Sequence, residues 1–354
     1  MLNLSITKNQ FSDLLNLHNG VFYPLKHFVN EKEFKDIMYK KQINTKFFPM
    51  PIFFGISKKK FLTIKNLKFV KLIYKNKYLA LIKIKSIFKF NSTIFGKKIF
   101  GKNFKKHPYF KKFISENFAF IDFEFKKLIK KNLKYKNFVS PKKFKKIIKK
   151  KSNKTSSLAG FHTRNVPHKA HQWAHKFMLR NYNNLLIQPL IGQYKKNEYK
   201  DEIIIKTNKV ALASYKNNNS FFIPYFSYPR YGGPLEAALH AIVRKNYGCT
   251  HFWIGRDHAG YRKFFSKYAS QKYCLKMEKN IGLKIIAQKE PYYCSGCKKI
   301  VNKKCKNKSC NKFLKKEVSG TKIRKFIKIN KLIPEYLMDK KISKLLNRKT
   351  VLVN

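Results

Sequence analysis

From Leu158 onward, short apolar runs alternate with longer segments of helical spacing, and this rhythm limits the second half of the chain to one fold class. The runs are LLIQPLIG (185–192), THFWIG (250–255) and LKIIA (283–287). Strands of this length separated by helices read as an α/β domain around a largely parallel sheet. The first 150 residues have another texture. Apolar runs such as KFFPMPIFFG (46–55), KYLALIKIKSIFKF (77–90) and STIFGKKIFG (92–101) are broken by Lys and turn residues. The alternation Leu81-Ile82-Lys83-Ile84-Lys85 suits a half-buried strand, so this half reads as mostly β with a few helices. PKKFKKIIKKKSNKTSS (141–157) reads as a basic, then polar, connection, which divides the chain into domains 1–155 and 156–354. No internal repeat is visible.

Composition supports folding but carries one outlier. Of 354 residues 44% are hydrophobic, with 33 Phe and 20 Tyr, which excludes an aromatic-poor disordered chain. The outlier is charge: 80 Lys+Arg face 17 Asp+Glu, a formal net charge of +63. Clustered Lys and Arg neutralise phosphates, so this balance first suggests a nucleic-acid partner. The bases are spread through every stretch, no segment stands out as a basic arm, and only eight of the 80 are Arg. An excess of Lys, Asn, Ile, Phe and Tyr matches AT-rich codons, and compositional drift is the stronger reading. The start lacks a basic region leading into a long apolar run. Lys interrupts every apolar stretch before the ~18 residues of a membrane span. A cytoplasmic protein is expected, without a membrane, and its six Cys are then metal ligands or core residues rather than disulfides.

Four constellations carry chemistry. In GFHTRNVPHKAHQWAH (160–175) a buried strand runs into a polar turn and then a helix. His168 and His171, three apart, share a helix face near its N-terminus, where free N–H groups and a partial positive charge suit phosphate. Arg164 adds a planar fork for an oxyanion. In PRYGGPLEAALHAIVRKNYGCTHFWIGRDHAG (229–260), Gly232-Gly233-Pro234 opens a helix and a strand ends in Gly255-Arg256-Asp257-His258-Ala259-Gly260. A glycine-flanked loop at the C-terminal end of a strand is where α/β sheets bind ligands. Asp257 there is placed to hold Arg256 or His258. In VSGTKIRKFI (318–327) a Ser/Thr turn starts a basic helix that can meet phosphates through hydroxyls, amides and Arg324, although Ser-Gly-Thr is also an ordinary cap.

The fourth is YYCSGCKKIVNKKCKNKSC, where Cys294, Cys297, Cys305 and Cys310 have the spacing C-x2-C-x7-C-x4-C. Four thiolates this close suit one tetrahedral structural Zn²⁺, since exposed thiols would oxidise and a closed site leaves no catalytic position. Cys249 and Cys274 read as core residues. The stretch from Gly96 to Asn103 nearly matches a P-loop, but Asn103 lacks the hydroxyl that would bind Mg²⁺, and the segment lies among expected strands.

Taken in order, these motifs resemble the sulfate adenylyltransferase, or ATP sulfurylase, family over nearly the whole chain. His162-Thr163-Arg164-Asn165-Val166-Pro167-His168-Lys169-Ala170-His171 resembles the family's Q-T-R-N-P-x-H-R-A-H. Arg230-Tyr231-Gly232-Gly233-Pro234-Leu235-Glu236-Ala237 is similar to R-Y-A-G-P-R-E-A, residues 244–252 and 255–260 to R-K-N-Y-G-C-T-H-F and G-R-D-H-A-G, and Ser319 to Arg324 to S-G-T-x-x-R. In the first half Gly20-Val21-Phe22-Tyr23-Pro24-Leu25 and His107-Pro108 are similar to G-x-F-x-P-L and H-P-G.

The resemblance implies a Rossmann-like nucleotidylyltransferase α/β catalytic domain (156–354), a PUA-like β-rich N-terminal domain (1–155), a small zinc-binding insertion (290–312) and a C-terminal helical segment (319–354). It implies ATP + sulfate giving adenosine 5′-phosphosulfate and pyrophosphate, with Mg²⁺ carried by ATP, a structural Zn²⁺ and a homo-oligomer. Thr163, Arg164 and Asn165 become the catalytic turn. His168 and His171 face the ATP phosphates. His162, Arg164 and the backbone of Ala259 meet sulfate. Gly255, Arg256, Asp257, His258, Ser319, Thr321 and Arg324 line the nucleotide site. Five of the eight Arg lie in these motifs, which fits a need for bidentate forks. His162 replaces the family's Gln, Val166 its Pro, and Tyr261-Arg262-Lys263 its Gly/Pro loop. Only 30 residues follow Arg324, so no fused kinase domain is expected. Two competing functions are an RNA-binding protein with PUA-like and zinc-ribbon elements, and a nucleotidylyltransferase for another small anion. No nucleic-acid partner is expected of the main reading.

Overall fold

The computed structural model describes residues 1–151, 156–192, 198–215, 219–302, 310, 314–346 and 351–353. They form two compact units whose pieces alternate along the chain. The first comprises Met1–Ile148, Ser227–Gly248 and Asp257–Leu283; the second comprises Lys149–Phe226, Cys249–Arg256 and Lys284–Asn354.

The first unit is built on a sheet with the strand order Asn3–Ser5, Phe69–Tyr74, Lys77–Phe88, Ala119–Leu128, Gly55–Ile56. Asn3–Ser5 pairs parallel with its neighbour and the rest pair antiparallel. The alternation read in Lys77–Phe88 is real but imperfect, because register shifts next to Ile82 and Ile84 let the strand bend. Phenylalanine fills the core. Phe34, Phe53, Phe90, Phe95, Phe113 and Phe120 form a connected set of rings, with Phe90 stacked on Phe120 at 4.5 Å and Phe95 on Phe113 at 4.4 Å.

Two segments differ from the expectation. Residues 92–101, expected among strands, are the helix Ser92–Phe100. The Asn91 side chain accepts the Ile94 N–H at 2.9 Å, and the capping bond outweighs the strand-like composition. Gly96 is a packing glycine there: a Cβ would sit 2.2 Å from the Phe104 ring. Residues 141–151, expected as a connection, are the helix Pro141–Lys151, started by proline and by Ser140, whose hydroxyl accepts the Lys143 N–H at 3.3 Å. Its dense Lys conceals an apolar edge that buries Pro141 and Phe144.

In the second unit the strands stand in the order Ser220–Phe222, Asn184–Ile191, Leu158–Thr163, His251–Ile254, Lys284–Ala287, all parallel, with Tyr225–Phe226 added beside the end of Asn184–Ile191. Each apolar run read from the sequence is one of these strands. Winding reverses between Leu158–Thr163 and His251–Ile254, the topological switch point at which open α/β sheets bind ligands. Ala159, Phe161, Leu185, Ile187, Trp253 and Ile286 of the sheet pack with Ala174 and Met178 of the helix Lys169–Asn181. A smaller antiparallel ribbon has the order Lys299–Val301, Tyr292–Cys294, Lys315–Glu317. Cys249 and Cys274 are buried, as expected of core residues, and burial pushes the Cys274 thiol up to about 12.

Within the first unit a buried ion pair joins residues far apart in sequence. Arg230 Nη2 lies 2.5 Å from Asp13 Oδ1, and the Tyr228 hydroxyl donates to Oδ2 at 2.7 Å. The two charged side chains are 7% and 4% exposed, so neither has water to fall back on if its partner is removed. Asp13→Ala is expected to lower the unfolding free energy by about 3–5 kcal/mol. Urea unfolding of the two proteins measures this, and a loss under ~1 kcal/mol would show the pair to be idle.

Candidate active site

The strand Leu158–Thr163 delivers Thr163, Arg164 and Asn165 to the reversal point of the sheet. The Asn165 N–H returns to the Thr163 hydroxyl at 3.0 Å, which closes the turn. The Asn165 side-chain oxygen then accepts a 2.6 Å bond from Arg324 Nη1. This contact brings together two motifs 159 residues apart. Gly320 permits it, since a Cβ there would lie 2.9 Å from the Asn165 amide. Arg324 is further held by Glu198 at 3.6 Å and reaches the Thr321 hydroxyl at 3.5 Å. Ser319 occupies the N-cap of the helix Gly320–Lys328, and its carbonyl accepts the Ile323 N–H at 3.3 Å while its side chain makes no capping bond. His162, half-buried, turns its ring edge toward Tyr225 at 6.1 Å.

The His pair differs from the expectation in place. His168 is not on the helix but is its N-cap, and its Nδ1 accepts the His171 N–H at 3.3 Å. One helix N–H expected to face phosphate is therefore taken by the protein itself. The two rings stack at 3.7 Å. Loss of hydration holds His168 well below its ordinary pKa and His171 down to about 4. Both are neutral at pH 7, so they offer hydrogen bonds and Arg must supply the positive charge.

His251–Ile254 ends at Gly255 and Arg256. Arg256 meets Glu290 at 2.8 Å and Glu317 at 3.4 Å. In the ribbon the Sγ atoms of Cys294, Cys297 and Cys310 lie within 4.8 Å of one another. Tetrahedral zinc thiolates sit roughly 3.8 Å apart, so a small inward adjustment fits the ion. The Cys297 backbone N–H draws the Cys294 thiol down to about 7, toward the thiolate a metal needs. Cys305 lies outside the described residues.

Asp257, His258 and Ala259 belong to the first unit. Asp257 and Ala259 have φ of +51° and +58°, a left-handed backbone uncommon outside glycine. Asp257 N–H donates to Lys267 O at 3.0 Å, and Ala259 O accepts the Gly233 N–H at 3.0 Å. His258 Nε2 lies 3.1 Å from His240 Nδ1. Nearby, fully buried Glu236 accepts the backbone N–H groups of Arg230 at 2.8 Å and Gly232 at 3.0 Å, which pins Tyr231 at φ +56°. Tyr231 stacks on Tyr109 at 3.7 Å, and Tyr261 closes on both rings edge-on. Tyr261, where the family has Gly and Pro, thus fills an aromatic cluster.

Residues 136–349 match the ATP-sulfurylase family model, and residues 1–121 match a PUA-like domain. The chain belongs to the ATP-sulfurylase family. A sulfate adenylyltransferase of Carboxydothermus hydrogenoformans is 29% identical over 351 residues, 98% of this chain and 92% of the relative. One from Thermococcus onnurineus is 30% identical over 329 residues, 92% and 85% of the two chains. A solved structure described as a hexameric APS kinase from Thiobacillus denitrificans superposes with a TM-score of 0.75 at 15% identity, over 99% of this chain and 64% of that one. This chain thus spans under two thirds of that protein's length, and the likeness is one of fold. Family membership makes the chain a nucleotidyltransferase of mixed α/β fold with a PUA-like N-terminal domain, and it does not favour the RNA-binding alternative. No helix among the described residues is long and apolar enough to cross a membrane.

Motif reading missed Asp13, Glu198, Glu290 and Glu317. One signal could have found them: each acid retained in a chain of 17 against 80 cations invites the question of what it holds. The neutral His residues also set a pH response. A His with a depressed folded pKa binds fewer protons folded than unfolded. Its contribution is therefore complete above the unfolded value near 6.5 and is lost as pH falls below that toward 4. The urea midpoint is expected to drop between pH 7 and pH 5, and by less in His171→Asn. Equal drops in the two proteins would remove His171 from that response.

Proposed function

We propose that this chain is a sulfate adenylyltransferase catalysing ATP + sulfate ⇌ adenosine 5′-phosphosulfate + pyrophosphate. The observation that carries the reading is the bond from Arg324 to Asn165, which joins the Thr163-Arg164-Asn165 turn to the Ser319-Gly320-Thr321 helix start at the sheet's reversal point. The strand order supports a Rossmann-like nucleotidylyltransferase fold for the catalytic domain, 156–354, following a PUA-like domain at 1–155. Sulfate is already a dianion at pH 7, so no general base is required. A sulfate oxygen attacks the α-phosphorus in line, the new S–O–P bond forms, and the α–β phosphoanhydride breaks with its electron pair leaving on pyrophosphate. The work of the protein is to bring one anion onto another.

Arg164 holds sulfate and the developing charge, with His162 and the Ala259 N–H as further donors. Thr163 and Asn165 keep the turn in shape. His168 and His171 face the ATP phosphates as neutral rings. Gly255, Arg256, Asp257, His258, Ser319, Thr321 and Arg324 form the nucleotide wall. Mg²⁺ enters with ATP and offsets phosphate charge. Cys294, Cys297 and Cys310, with Cys305, would hold one structural Zn²⁺. The same site runs in either direction, toward sulfate assimilation or toward ATP. A cytoplasmic homo-oligomer fits this reading.

Purified protein is expected to form ATP from adenosine phosphosulfate and pyrophosphate, and Arg164→Ala to lose at least ~10²-fold in kcat. No turnover in either direction would reject the function, and an unchanged Arg164→Ala rate would reject that role. Metal analysis is expected to give one Zn²⁺ per chain, lost in Cys297→Ser. Zinc-free wild-type protein with reactive thiols would reject the metal.

A further inference from the structure

We propose that Glu290 and Glu317 are positioning residues for Arg256, and that the antiparallel ribbon exists to aim that guanidinium. The inference rests on reading the sheet's reversal point as nucleotide-binding. Arg256 leaves the sheet just after His251–Ile254, at the reversal point. A long side chain there gives up rotamer freedom each time it meets a ligand, unless something holds it beforehand. Glu290 lies 2.8 Å from Nη1 and Glu317 3.4 Å from Nη2. One contact would leave the fork free to swing. Two contacts at two different nitrogens fix its plane.

Both carboxylates come from the ribbon. Glu290 precedes the strand Tyr292–Cys294, and Glu317 ends the strand Lys315–Glu317, where it stands opposite Tyr292. In the same ladder Cys294 stands opposite Lys315. The pairing that presents the first cysteine therefore also presents the carboxylate. Glu317 leads straight into Val318, Ser319 and the helix that carries Arg324. One segment thus sets the positions of two motif arginines.

The charge balance makes this placement informative. Lys322 lies 3.9 Å from Glu317, and cations far outnumber acids along the chain, so an acid has many other partners within reach. Two on one arginine is a built arrangement. With Glu317 at 44% side-chain exposure its contact with Arg256 adds little to folding, which points to geometry as its role.

The test compares wild type with Glu290→Gln, Glu317→Gln and the double variant. MgATP affinity is measured by calorimetry, with KM for ATP, KM for sulfate and the thermal midpoint alongside. The double variant is expected to bind MgATP about tenfold more weakly, with KM for ATP raised to match. KM for sulfate and the thermal midpoint are expected to stay close to wild type. A lower midpoint with unchanged MgATP affinity would assign the pair to folding and overturn the proposal. Unchanged affinity in a double variant whose wild type binds MgATP normally would overturn it alone. Wild-type protein that binds no MgATP would overturn the functional reading together with it.

Discussion

Carboxylates are the scarce partner in this molecule, and where they settle decides which cations have a fixed geometry. With 80 Lys+Arg and 17 Asp+Glu, most cations lack an acid and stay solvated. Several acids take Lys at the surface, as in Glu31–Lys35 and Asp36–Lys40 on one helix, where such pairs are worth a few tenths of a kcal/mol. Others are spent on arginine: Asp13 on Arg230, Glu198 on Arg324, Glu290 and Glu317 on Arg256. All three arginines lie in family motifs. A lysine ammonium would satisfy the charge in each case, but only a planar fork converts a carboxylate contact into a fixed direction.

The distinction changes what the net charge means. A uniform Lys coat raises the concentration of anions near the surface, but screening limits its reach to ~8 Å at physiological salt. At the start of the helix Lys169–Asn181 the stacked His168 and His171 are neutral, so the coat of positive charge does not continue through them. Positive charge at the turn is carried by Arg164 and Arg324, and the second of these is held from two sides. Background and site therefore use different residues for different purposes.

Much of this was legible in the sequence, for physical reasons. Strands of a parallel sheet are largely buried on both faces, so 185–192, 250–255 and 283–287 were short, predominantly apolar runs that this Lys-rich composition interrupts but does not disguise. The first half was harder. Ser92–Phe100 and Pro141–Lys151 became helices through the side chains of Asn91 and Ser140, short-range bonds that hydrophobic pattern does not record. Of the site, the motif residues could be read and their holders could not. Glu198, Glu290 and Glu317 stand outside the motifs, and only folding brings them to Arg324 and Arg256. The His pair shows another limit. Three-residue spacing placed both rings together, but His168 as a cap and the loss of hydration that keeps the rings neutral are properties of packing.

The loops of the first unit extend the same logic to the backbone. Tyr231, Asp257 and Ala259 hold positive φ without being glycine, at a cost of order 1–3 kcal/mol each. Such strain persists only where surrounding bonds leave no alternative. Around Tyr231 the buried Glu236 carboxylate binds the N–H on either side. Around Asp257 and Ala259, backbone bonds to Lys267 and Gly233 do the same. In the proposed reaction Ala259 presents its N–H to sulfate, a strongly hydrated anion that gains little from a donor that must first turn toward it. Fixing the amide during folding removes that reorganisation from the reaction. Glu236 acts on the backbone around Tyr231 as Glu290 and Glu317 act on Arg256: a scarce carboxylate spent on fixing the direction of the groups beside it.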